Sequence, residues 1–187
     1  MSSCFAVLRQ LRSIRRSVSP AALVALVLSR LDYGSATLAG LPNNQLDRLQ
    51  SVLNAAARLL FSARKYEHVT QFLRDLHWLL VFQRVEYKLA MLVYRCLHGL
   101  APSYLADDLQ LVADLESKQR LRSSSSDALV VPSSRLCTVG DRAFPVSAAR
   151  LWNGLPAHVT SSPSLHILKR HLKTFLFSRN FPSTDSQ

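Results

Sequence analysis

Glycine is scarce in this sequence, with 5 in 187 residues. Tight hairpin turns and phosphate-cradling loops draw on that residue, so a hairpin-rich β fold and a Walker-type loop are both disfavoured. No Gly-x-Ser-x-Gly string occurs either. Cysteine is sparse and scattered: Cys4, Cys96 and Cys137 form no CxxC pair. An odd, dispersed set argues against a disulfide framework and fits a reducing compartment, nucleus or cytoplasm. The histidines, His68, His77, His98, His158, His166 and His171, show neither HExxH nor zinc-finger spacing, so no metal and no cofactor are expected. The apolar run Ala21–Leu28 falls well short of the roughly 20 residues a membrane-spanning helix needs, and no membrane partner is expected. Acidic residues are few, 12 against 23 Lys and Arg.

What is present is apolar and basic. An apolar share of 48% is ample for a core, and the formal charge of +11 favours a polyanionic partner. The charge is unevenly spread. Residues 1–31 hold Arg9, Arg12, Arg15, Arg16 and Arg30 with no acid, whereas Asp107, Asp108, Asp114 and Glu116 make residues 104–117 acidic. The Arg- and Ser-rich start shares its composition with mitochondrial presequences, a minor alternative to an ordinary amphipathic helix.

Helical periodicity dominates. Phe5, Leu8, Leu11, Ile14 and Val18 recur on one face, with Arg9, Arg12 and Arg16 on another. Ser19-Pro20 opens a second helix to about Leu31, and Gly40–Asn43 reads as a break. Leu46, Leu49, Leu53, Ala56 and Leu60 define a third helix to about Ala63, and a short helix over 69–79 ends near His77-Trp78. Val81, Val85, Leu89, Leu92 and Cys96 mark a fifth helix, with Arg84, Lys88 and Arg95 away from its apolar stripe. Tyr104–Leu115 reads as one more helix, in whose first turn Asp107 and Asp108 would be dipole partners. Beyond a Ser-rich stretch, 129–132 and 136–139 are strand-like runs that suggest a small hairpin, and Trp152 sits in what reads as a turn. A final helix begins near Ser164, capped by Ser162 or Ser164. Leu165, Leu168, Leu172, Phe175 and Leu176 lie inside it, and Lys169, Arg170, Lys173 and Arg179 outside.

These patterns predict a mainly α fold: a helical bundle, a small C-terminal lobe containing an irregular β-hairpin, and a final helix. The expected organisation is a helical region over 1–117, a linker over 118–127, a small lobe over 128–180 and a disordered tail over 181–187.

An ordered series of strings resembles one family. It comprises Ser29-Arg30-Leu31-Asp32-Tyr33, Leu38-Ala39-Gly40-Leu41-Pro42, Asn54-Ala55-Ala56-Ala57-Arg58 and Leu76-His77-Trp78-Leu79. It continues with His98-Gly99-Leu100-Ala101-Pro102-Ser103-Tyr104-Leu105, Val131-Pro132-Ser133-Ser134-Arg135-Leu136, Gly140-Asp141-Arg142-Ala143-Phe144 and Leu151-Trp152-Asn153-Gly154-Leu155-Pro156. Each string is weak alone. In this order they are similar to the C-terminal region of non-LTR (LINE-type) retrotransposon reverse transcriptases of the jockey and chicken-repeat kind. The sequence departs from that pattern at Leu80, where the family usually has Pro, and at Gly34, where it commonly has Cys. The stretch 17–28 is shortened.

The resemblance implies the thumb and the region beyond it, which follow the catalytic palm and help to hold template RNA and primer. Polymerase chemistry needs two metal ions held by carboxylates from palm strands. Tyr104-Leu105-Ala106-Asp107-Asp108 mimics the aromatic-Ala-Asp-Asp turn, but a Leu intervenes and the flanks predict a helix. No catalytic residue is therefore expected. The candidate nucleic-acid contacts are Arg9, Arg12, Arg16, Arg84, Lys88, Arg95, Lys169 and Lys173. A basic stripe on one helix is ordinarily a solvated face; three that converge would track a phosphate backbone. The expected partner is RNA or an RNA–DNA hybrid. The alternatives are a remnant that docks on a reverse transcriptase palm or on itself, and a translated relic with no function.

Overall fold

The computed structural model describes residues 2–114, 128–134 and 140–181. The chain is mainly helical. Nine α-helices occur among the described residues: α1 Ser2–Ile14, α2 Pro20–Asp32, α3 Asn43–Phe61, α4 Val69–Asp75, α5 Val81–Leu97, α6 Ser103–Ala106, α7 Phe144–Asn153, α8 Ala157–Thr160 and α9 Leu165–Asn180. Two compact units emerge. The first contains Met1–Ser35, Leu41–Arg84 and Phe177–Gln187, and the second Ala36–Gly40 and Val85–Leu176. The division passes through α5 and α9. The Ser-rich linker expected over 118–127 lies outside the described residues.

In the first unit α1, α2 and α4 all pack on α3. α3 can serve three neighbours because Leu46, Val52, Leu53, Ala56 and Ala57 are all buried, a stripe wide enough to wrap much of the helix. Its end is a left-handed cap without glycine: Ser62 has φ 57°, and Ala63 N donates to the Arg58 carbonyl at 2.9 Å. α4 closes the same way through His77, φ 51°, with Trp78 N on the Leu73 carbonyl at 2.9 Å. α2 starts as expected, with Pro20 in the first turn and the Ser19 hydroxyl accepting from Ala22 N at 3.3 Å. Gln50 Oε1 accepts from Val81 N at 2.9 Å, satisfying a donor at the open end of α5 from a distant helix. Phe181, expected in the tail, is instead buried; it packs on Phe177 at 4.8 Å between ring centroids, and Arg74 lies over its ring. Residues 182–187 lie outside the described residues.

In the second unit Val85, Leu89, Ala90, Val93, Tyr94 and Cys96 of α5 are buried, as their spacing requires. Leu168, Leu172 and Leu176 of α9 are fully buried. Ser164 is the cap of α9, accepting from Ile167 N at 3.3 Å, whereas Ser162 is buried and its carbonyl accepts from the Tyr94 hydroxyl at 3.1 Å. Gly40 has φ +72°, and a Cβ there would lie 2.7 Å from Arg142 Cγ, so both backbone and space favour glycine.

Two expectations fail here, and a third finds no support among the described residues. The helix predicted over Tyr104–Leu115 stops at Ala106. Asp107 and Asp108 fall at its C-terminal end, where acidic groups oppose the helix dipole, and not in its first turn. The chain then pairs instead: Val112 N donates to the Ala128 carbonyl and Val130 N to the Gln110 carbonyl, each at 2.8 Å, around a single antiparallel bridge between Leu111 and Leu129. The described residues therefore contain no hairpin. The run at 129–132 finds its partner in 110–112, and 136–139 lies outside the described residues. Finally, Trp152 is not in a turn but near the end of α7, where it is buried with Val146, Ala148 and Ala149.

Asn153 holds the bridge region from the end of α7. Its side-chain amide accepts from Leu129 N and donates to the Leu129 carbonyl, both at 2.8 Å, replacing the ladder that a second strand would supply. Asn153→Ala is expected to destabilise the protein by about 2–3 kcal/mol in urea denaturation, because buried Leu129 would lose both backbone partners at once. A loss of only a few tenths would show that this clamp is solvated.

Candidate nucleic-acid interface

α1 lies along α3 with its apolar stripe incompletely covered. Leu11 is buried, but Phe5 is 37% and Ile14 45% exposed. On α3, the small residues Ser51 and Ala55 line the space beside α1. What results is an open cleft of about 460 Å³ lined by both helices and the turn after α3. Its apolar wall is Phe5, Leu8, Ala55 and Leu59. Its charged lining is Arg9, Arg12, Arg15, Arg58 and Lys65, five cations with no carboxylate among the lining residues.

Two of these cations are positioned by neighbours. The Arg15 guanidinium donates to the Ser62 hydroxyl, so the left-handed cap of α3 also fixes a base at the cleft. Arg58 Nη2 donates to the Glu67 carbonyl at 3.4 Å, while its buried Nε has no hydrogen-bond partner. A buried guanidinium nitrogen without a partner is costly to the fold.

The predicted contact residues are thus unequally placed. Arg9 and Arg12 are exposed and line the cleft; Arg16 is exposed but does not line it. Arg84 is not a free cation. It forms a half-buried ion pair with Asp32, with Nη2 at 2.7 Å and Nε at 2.8 Å from Oδ1, which neutralises it. In the second unit Lys88, Lys169 and Lys173 are exposed, and Arg95 donates from Nε to the Leu100 carbonyl at 3.3 Å.

Arg15, Arg58 and Lys65 were not among the predicted contacts. One signal for Arg58 was available: Ser51, Ala55, Arg58, Leu59 and Ser62 recur at helical spacing, a face that sets one base among mostly small side chains.

Asp107 and Asp108 are exposed at the end of α6, and among the described residues no three His, Cys, Asp or Glu side chains are grouped to hold a metal ion. Trp78 of the His77-Trp78 pair is 4% exposed and serves as a core anchor, while His77 stacks on Phe177 at 5.6 Å. No helix among the described residues is long and apolar enough to cross a membrane.

Cys96 behaves as a small buried hydrophobe. Burial pushes its thiol pKa up, and the neighbouring Arg95 charge only partly opposes that shift. Cys4 is exposed. In the native state a thiolate-selective reagent is expected to label Cys4 at least about tenfold faster than Cys96, read by peptide mass spectrometry. Equal rates would place Cys96 at the surface. No family model, curated protein or solved structure matches this chain.

Proposed function

We propose that this chain is the post-palm region of a non-LTR retrotransposon reverse transcriptase, with no polymerase chemistry of its own, and that it binds RNA or an RNA–DNA hybrid without sequence specificity. The single observation that carries the binding reading is the α1–α3 cleft, with its five cations and no lining acid. Such a lining attracts phosphates and reads no base edge, so contact is sequence-tolerant and salt-sensitive. The net charge of +11 adds long-range attraction for any polyanion. The origin rests on the ordered series of motifs from Ser29 to Pro156.

The test is fluorescence polarisation of labelled RNA and hybrid with the purified chain, beside a primer-extension assay. Binding in low salt without extension is the expected result. Absence of binding in low salt would reject the binding reading and favour a relic, and primer extension would reject the non-enzymatic one.

A second reading, docking on another protein, draws on Leu26 and Phe82, which are 50% and 52% exposed. Sedimentation distinguishes it: self-association abolished by Leu26→Ser or Phe82→Ser would favour docking, and a monomer at all concentrations would oppose self-association.

A further inference from the structure

We infer that the α1–α3 cleft takes an unpaired nucleotide of a single strand, with its base against Phe5 and its phosphates on the surrounding arginines. This rests on the nucleic-acid reading above and narrows its ligand. The lining has two chemistries in one space: an apolar wall of Phe5, Leu8, Ala55 and Leu59, and a rim of Arg9, Arg12, Arg15, Arg58 and Lys65. A site for bare phosphate would have no use for the first. A duplex would have little, because its base faces are stacked on one another and it offers the protein mainly sugar and phosphate. An unpaired nucleotide satisfies both, with an aromatic face for the wall and an anion for the rim.

Size and preorganisation agree. About 460 Å³ falls within the roughly 300–1,000 Å³ of sites that enclose small organic groups. Phe5 is 37% exposed and shares its helical face with Arg9 and Arg12, four and seven residues on, so a base on its ring would lie beside both guanidiniums. The Arg15–Ser62 hydrogen bond holds one cation in place before any ligand arrives.

The test compares a short oligouridylate with a blunt RNA duplex of equal length, using the full chain. The single strand is expected to bind about tenfold more tightly. Phe5→Ala should erase that preference and Phe5→Trp should keep it, with circular dichroism verifying the helices. Uridine monophosphate should also displace the oligonucleotide at lower concentration than inorganic phosphate does, a measurement that needs no variant. Equal affinity for strand and duplex, or equal competition by phosphate and the nucleotide, would overturn this inference while leaving the wider reading intact. Failure of both RNAs to bind in low salt would overturn the two together.

Discussion

Reversing the charge of Arg9 and Arg12 together, with Arg9→Glu and Arg12→Glu, is expected to weaken RNA binding about 100-fold. Each removes a charge-assisted phosphate contact, of about 1.5 kcal/mol or more, and adds a repulsive group to the same cleft. Both residues are exposed, so the fold should be unaffected and the loss should appear in affinity alone. The comparison that gives the result meaning is Lys169→Glu with Lys173→Glu on α9. These lysines are also exposed but do not line the cleft, and the same charge change should cost less than about tenfold through the weaker general field. Polarisation titrations at one fixed salt concentration measure both. Equal losses from the two pairs would mean that net charge, and not the cleft, governs binding.

The largest effect on stability is expected from Trp152→Ala. The side chain is 2% exposed on α7, between fully buried Ala148 and Ala149 on its own helix. Deleting a buried indole leaves a cavity that close-packed neighbours cannot collapse into, at a cost of about 3–5 kcal/mol. Domains carry only about 5–15 kcal/mol in total, so much of the folded population should be lost under mild denaturant. Far-UV circular dichroism against urea is the readout, with Trp152→Phe expected to recover more than half of the loss. A shift below about 1 kcal/mol would mean that Trp152 is not a core residue.

The long helices were legible because their inner faces carry bulky aliphatics at strict spacing. Val81, Val85 and Leu89 on α5 and Leu168, Leu172 and Leu176 on α9 are buried where periodicity puts them. α7 was not legible. Two of its four buried positions are alanines, which give a faint apolar signal, and Gly154 and Pro156 directly after it read as a turn. The expected hairpin finds no support among the described residues, for a related reason. The strand-like run around Leu129 does seek backbone partners, but it finds them in 110–112 and in the Asn153 amide, neither of which its neighbours in sequence announce.

The candidate site divides in the same way. Arg9 and Arg12 could be read from α1 alone, since helix periodicity fixes their face. Arg58 and Lys65 come to the cleft only because α1 lies on α3, and Arg15 because a turn bonds it to Ser62, 47 residues away. Arg84 erred in the opposite direction. Its spacing marks it as an outward base, yet Asp32, 52 residues earlier in the chain, neutralises it. Local pattern assigns a face to a charge, and tertiary packing decides whether the charge is available.

The dependence of RNA affinity on salt tests the central claim most directly. If the cleft seats one nucleotide of a single strand and its cations neutralise at least the two flanking phosphates, the logarithm of affinity should fall with the logarithm of salt concentration at a slope of about 1.4 or more. A slope below about 1, or affinity that is unchanged as salt rises, would contradict a phosphate-gripping cleft.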